Sequence, residues 1–235
     1  MRIIVKELKR YASAGRKKAN EWFFKTGKGE YGEGDRFIGV SNPDARKVVA
    51  KFAHVSLDDV QVALDSPIHE ERLVGVLILL KQYERAKDDE SRRKIATFYL
   101  RNLGRVNNWD LVDLSAHRIL GQAILDGVMK EQILDTLAGS RNMWDRRVAI
   151  IATMTFIRKG KLGPSLRIAK RLIGDKEDLT HKAVGWTLRE VWKHDPKLCE
   201  IYLLANYATL PRTTLRYAIE RMEEVKRQKF LKNKC

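Results

Sequence analysis

Cysteine is nearly absent from this chain. Only Cys199 and Cys235 of 235 residues carry a thiol, too few and too far apart for a disulfide framework or a thiolate metal site. Long apolar runs are also missing. The longest, LVGVLILL (73–80) and VAIIATMTFI (148–157), are too short to span a bilayer, and the apolar run inside MRIIVKELKR is too short for a signal peptide. A cytosolic protein in a reducing compartment is expected. Proline (five) and glycine (fifteen) are scarce and sit mostly between periodic segments. Hairpin turns flanked by alternating strands are lacking. The five histidines (54, 69, 117, 181, 194) are scattered without ligand spacing, so no metal is expected. Acids are short in number as well, 30 against 46 Lys and Arg.

That last shortage leaves a formal charge of +16 and a pI near 9.9. Such a balance favours a polyanionic partner. Nucleic acid comes first, because Lys and Arg gain affinity by displacing the counterions condensed on phosphate; an acidic membrane surface comes second. The charge is interleaved with apolar residues, 44% of the chain, which excludes a disordered tail and leaves enough for a substantial core.

The apolar spacing is helical nearly throughout. Leu73, Val76, Leu77 and Leu80 follow the i, i+3, i+4, i+7 rule, as do Val112, Ala116, Ile119, Leu120 and Ala123, and Val184, Leu188, Val191 and Trp192. SNPDARKV (41–48) reads as a helix start with Ser41 or Asn42 as cap, and DSPIHEERL (65–73) repeats that logic; both set acids at the positive end of the dipole, and Asn108 and Asn142 read as caps. Four segments look related: SPIHEERLVGVLIL, VNNWDLVDLSAHRIL, SRNMWDRRVAIIAT and DLTHKAVGWTLREV. The Trp-Asp pairs at 109 and 144 set a period in the range of helical-hairpin repeats. The expectation is one all-α domain, a curved solenoid of stacked antiparallel helical hairpins. It would have N-terminal helices and a Gly-rich loop over 1–40, repeats over 41–222 and a basic tail over 223–235. Gly27-x-Gly29-x-x-Gly32 fits a dinucleotide fingerprint on paper. It follows a helix and opens no βαβ unit, so it reads as a connection between helices.

Against the basic background, VNNWDLVDLSAHRILG (106–121) stands out. Trp109 and Asp113 share one helix face beside the apolar stripe, at the edge where a side chain can line a groove. Trp109 reads either as a core anchor or as a groove wall, and Asp113 either as a salt-bridged acid or as a working one. Asp110 is explained by the helix dipole. Trp186 follows Gly185, whose missing side chain would let a backbone or a ligand approach; a core tryptophan is the alternative. Of the adjacent Arg146 and Arg147, one can face a groove and the other a carboxylate. Lys182, Arg189, Arg212 and Arg216 lie near later helix starts and can form a phosphate-binding rim, although each alone is an ordinary solvated residue. Asp110 with Asp113 has too few carboxylates around it for a two-metal nuclease.

NNWDLVD, WDRRVAI (144–150) and HKAVGWTLRE, in this order and spacing, resemble the bacterial DNA alkylation repair glycosylases of the AlkD type, over about Trp22 to Met222. The resemblance implies a stack of HEAT-like repeats, a bacterial or archaeal cytosol or nucleoid, and double-stranded DNA carrying alkylated bases as partner, with no cofactor. It puts the catalytic aspartate on Asp113 and the two sugar-contacting tryptophans on Trp109 and Trp186. The active-site arginine falls on Arg147 in preference to Arg146. An aromatic of the first helical segment falls near Phe23 or Phe24, where the family has a tyrosine; Phe24 is taken as the DNA contact. The family is described as leaving the damaged base stacked, in contrast to enzymes that flip it. A monomer is expected.

The chemistry suits these residue types. A base alkylated at N3 of adenine or N7 of guanine is cationic and leaves readily, so a placed general acid is not needed. What remains is an oxocarbenium-like deoxyribose, which a carboxylate and two indole faces can stabilise. The competing expectation is a helical-repeat protein that binds DNA or RNA and catalyses nothing. Simple binding does not need Trp109, Asp113, Arg147 and Trp186 together.

Overall fold

The structure, a computed structural model, describes residues 2–232; Cys235 lies outside them. The described residues are helical apart from turns and one isolated bridge between Arg36 and Ile68, as the sequence predicts. Two compact units divide the chain, Met1–Leu111 and Val112–Cys235.

The first unit holds α1 (Arg2–Lys9), α2 (Ala14–Phe23), α3 (Asn42–Phe52), α4 (Leu57–Leu64), α5 (His69–Arg85) and α6 (Asp89–Arg101). Short polar side chains set the helix starts. Ser41, Ser56 and Asp88 accept from the backbone N–H of Asp44, Asp59 and Ser91, at 3.2, 3.1 and 2.7 Å. Helix α5 is the spine. Its residues from His69 to Leu80 are all buried, apolar and charged alike, and α3, α4 and α6 pack around it. A helix covered on every side loses its amphipathic stripe, so its charged residues must find partners inside the unit.

The start of α5 departs from the sequence expectation. Neither Ser66 nor Asp65 caps it; Ile68 stands at the N-cap without a side-chain bond, and the Ser66 hydroxyl accepts from Ile68 N instead. Glu70, read from sequence as a dipole partner, is almost fully buried. Its carboxylate accepts from the backbone N–H of Ile38, Gly39 and Val40 at 3.0, 2.8 and 3.2 Å. It thereby fixes the end of the glycine-rich segment. Gly39 lies at φ +79°, and a Cβ there would come within 2.6 Å of Lys17 N, so close passage of α2 requires glycine.

Helix α7 (Trp109–Ser115) begins in the first unit and ends in the second. The second unit continues with a π-helical turn, His117–Gly121, then α8 (Gln122–Leu125), α9 (Gln132–Ala138), α10 (Met143–Ala152), α11 (Met154–Ile157), α12 (Gly163–Arg171), α13 (Asp178–His194), α14 (Pro196–Ala205), α15 (Arg212–Ala218) and α16 (Glu224–Leu231). Helices α7, α10 and α13 start at the repeat positions the sequence marks. The Thr155 hydroxyl donates to the His117 carbonyl at the start of the π-turn. Helix α13 is the spine of this unit, packed on α10, α12, α14 and most extensively on α15. Gly185 makes that last packing possible: a Cβ there would meet Thr214 O and Tyr217 Cβ, each at 2.5 Å. The approach that Gly185 permits is therefore that of a neighbouring backbone.

Candidate functional site

In the second unit Asp113 and Arg147 come together. Asp113 lies on the last turn of α7, and Arg147 on the second turn of α10, whose start is set by Asn142 accepting from Trp144 N at 2.9 Å. Arg147 donates from Nε to Asp113 Oδ1 at 2.9 Å and from Nη2 to Oδ2 at 2.7 Å; its Nη1 donates to Leu179 O in the first turn of α13. The arginine side chain is 7% exposed and the aspartate side chain 17%. One guanidinium thus links three successive repeat helices, and its planar fork fixes the carboxylate in both position and rotation. An ionised carboxylate is an acceptor only, and this one keeps a partly exposed edge. His117, one turn further on, is no acid: burial and the charges of Arg158 and Arg118 push its pKa down to about 4.

Arg146 is committed elsewhere. It donates to Asp175 from Nε at 2.5 Å and Nη2 at 3.0 Å, and to the carbonyls of Ser140 and Arg141. Burial alone would push the Asp175 carboxyl up; the bonds from Arg146 and Glu177 N and the arginine charge offset this and hold it below the ordinary range. Of the two adjacent arginines, Arg147 meets Asp113 and Arg146 closes the loop before α13. Trp186 is half-buried on α13 and donates from Nε1 to Glu190 at 3.2 Å. Of the residues expected to form a rim, Lys182 pairs with Asp178 at 2.8 Å and Arg189 with Glu220, Arg212 donates to Leu231 O at 3.0 Å, and Arg216 is exposed.

In the first unit Trp109 ends an aromatic stack. Its indole lies nearly parallel to Phe24, with centroids 5.3 Å apart, and Phe24 lies on Phe37 at 5.0 Å. Phe23 meets Trp109 edge-on at 5.7 Å and is itself exposed. Phe24, the expected DNA contact, is thus the middle layer of a stack, with Trp109 on one side and Phe37 on the other. Trp109 is a packed anchor on its Phe24 side while keeping partial exposure.

Beneath the stack lies a charged cluster that the sequence reading passed over. His69 is 1% exposed and both its ring nitrogens meet carboxylates, Nδ1 at 3.2 Å from Asp35 and Nε2 at 2.8 Å from Asp110. Asp35 also accepts from Arg72 at 2.6 Å and from Asn108 at 3.0 Å. Burial alone would lower the His69 pKa; Asp110, by charge and hydrogen bond, and Asp35 overcome that and raise it to about 9. Asp110 therefore does more than face a helix dipole. The two carboxylate partners of His69 lie 34 and 41 residues from it in sequence, so no local spacing announces them. The available signal was a histidine at the head of HEERLVGVLILL, one turn before a long apolar run.

Among the described residues no group of three or more His, Cys, Asp or Glu is arranged to hold a metal, and no helix is long and apolar enough to cross a membrane. No curated protein matches the chain. A solved structure described as a predicted DNA alkylation repair enzyme from Enterococcus faecalis shares the fold, with a TM-score of 0.72 over 91% of this chain and 97% of that one, at 16% identity. The family model for DNA alkylation repair enzyme matches residues 4–222. With nearly every described helix inside that match, the chain belongs to the DNA alkylation repair enzyme family.

Proposed function

We propose that this protein is a DNA glycosylase that removes cationic N-alkylated bases, of the N3-methyladenine and N7-methylguanine type, from double-stranded DNA. The observation that carries the reading is the Asp113–Arg147 pair: a carboxylate locked by a bidentate arginine, in a chain of charge +16. In hydrolysis the C1′–N bond breaks and its electron pair returns to the base, which leaves neutral because it began cationic. Positive charge builds on the sugar. Asp113 supplies opposite charge there without needing to reorganise, since Arg147 already holds it. Water adds to C1′, and its proton passes to solvent or transiently to the carboxylate. Trp109 and Trp186 would offer indole faces to the cationic sugar. Lys182, Arg189, Arg212 and Arg216 would meet phosphates as a salt-sensitive rim. The protein would act as a cytoplasmic monomer, without metal or cofactor.

The test is single-turnover base release from a duplex carrying one N7-methylguanine, with DNA affinity measured alongside. Asp113→Asn keeps the shape and removes the charge. Release should fall by roughly 100-fold or more, the scale of losing one preorganised electrostatic contact, with affinity retained. Equal release by both proteins at the spontaneous rate would leave the family's fold serving DNA binding alone.

A further inference from the structure

Trp109 needs a fixed helix start to keep its indole in place, and the first unit supplies one from residues outside the proposed site. The His69 ring packs on Phe37 with centroids 4.7 Å apart and on Phe24 at 4.9 Å, the same phenylalanine that stacks on Trp109. Its Nε2 reaches Asp110, the next residue after Trp109, and Asp110 also accepts from Leu111 N at 2.8 Å. Its Nδ1 reaches Asp35, which holds Asn108, the residue before Trp109; Asn108 in turn accepts from Trp109 N at 2.8 Å. Residues on both sides of Trp109 are thus tied to one imidazole.

A neutral imidazole has one N–H and one lone pair. With carboxylates at both nitrogens, only the imidazolium satisfies both; loss of the proton would set a lone pair against one carboxylate. The charged groups facing the ring are Asp35 from the loop before α3, Arg72 from α5 and Asp110 from α7. Arg16 and Glu70 line the small cavity of about 100 Å³ that His69 and Asp110 share. Asp35 and Asp110 balance His69 and Arg72, so the cluster is neutral only while His69 is protonated.

We propose that His69 is a positioning residue, whose imidazolium holds the Trp109 indole in place by bracing Asp35 and Asp110 on either side of it. This rests on the reading of Trp109 as a contact of the damaged nucleotide. It also predicts that the indole loosens at alkaline pH, because the ring's pKa lies near 9.

The experiment uses the full chain labelled with 5-fluorotryptophan, with the Trp109 signal identified by Trp109→Phe. Fluorine spectra are recorded from pH 7 to 10 beside single-turnover release of N7-methylguanine. The Trp109 signal should shift with a midpoint near pH 9, and release should fall with the same midpoint. Asp110→Asn removes one of the two stabilising charges and should move that midpoint down by a pH unit or more, while the Trp186 and Trp192 signals, which general alkaline unfolding would move as well, stay in place. In His69→Gln the Trp109 signal should be displaced at pH 7 and should no longer titrate. A wild-type signal that stays constant to pH 10, or a midpoint indifferent to Asp110→Asn, overturns the proposal and needs no destabilised variant. Titration as expected without any base release upholds His69 as the brace for Trp109 and overturns the glycosylase reading instead.

Discussion

In the first unit the buried carboxylates of Asp35 and Asp110 converge on one imidazole, while in the second Asp113 and Asp175 each receive a guanidinium of their own. The difference is one of proton count. Arginine keeps its charge across any pH a protein survives, so the Asp113 arrangement is electrically constant. The His69 cluster contains a proton that mild alkali can remove. Of the two residues that the family resemblance assigns to α7, the carboxylate is therefore held by a permanent charge and the indole by a removable one.

Three experiments sharpen or break this contrast. The largest effect is expected from Arg147→Ala. It removes the guanidinium that holds Asp113 in its half-buried setting and takes one donor from Leu179 O, and breaking such a pair costs about 3–5 kcal/mol. For a chain of this size that lowers the melting temperature by very roughly 10 °C, and the loss should be nearly the same at pH 7 and pH 9.5. A loss that changes steeply between those values would deny the constancy claimed for the second unit.

A smaller effect follows from pH alone on the unmodified protein. The folded pKa of His69 is raised to about 9 from an ordinary 6.5. Its contribution is thus fully present below pH 6.5 and disappears as pH rises through 9; the shift corresponds to at most about 3 kcal/mol. Asp35 works in the opposite sense. Burial pushes its carboxyl up, but His69, Arg72 and Asn108 hold it below the ordinary range, so its contribution is lost as pH falls through that lowered value. Hydrogen exchange, corrected for intrinsic rates, should show protection around Asn108–Leu111 weakening above pH 8.5 while α10 and α13 keep theirs. Equal weakening in both units would erase the distinction.

The smallest effect is expected from Lys182→Ala, which breaks an exposed pair with Asp178. Stability should change by less than about 0.5 kcal/mol, while the salt dependence of DNA binding should lose about 0.9 of a unit of slope, one phosphate contact. An unchanged slope would remove Lys182 from the proposed rim.

Much of the frame was legible in the sequence because it depends on near neighbours. The 3.6-residue spacing at Leu73–Leu80 and Val184–Trp192, and the caps at Ser41 and Asn142, correspond to helices α5, α13, α3 and α10. The Asp113–Arg147 contact was reachable only through the family resemblance, since the two residues lie 34 apart. What sequence could not reveal was how charged residues are spent once buried. Glu70 and Asp110 sit where a helix dipole would explain them, yet one staples Ile38–Val40 and the other braces His69. Arg146 and Arg147 are equivalent on paper; about 100° of helical rotation sends one to Asp175 and the other to Asp113. Gly185 was readable as a point of close approach, but not as the approach of α15.

The π-turn at His117–Gly121 carries a historical consequence. A π-turn is formally a one-residue insertion into an α-helix. The wide turn takes up that residue locally, so the helix after it keeps its phase and the buried Ala123 and Ile124 stay in the core. The Thr155 hydroxyl meets the turn at its first carbonyl, that of His117. Such an irregularity can be gained or shed in one step, because the cost of the extra residue is confined to a single turn and does not pass to the helices that follow.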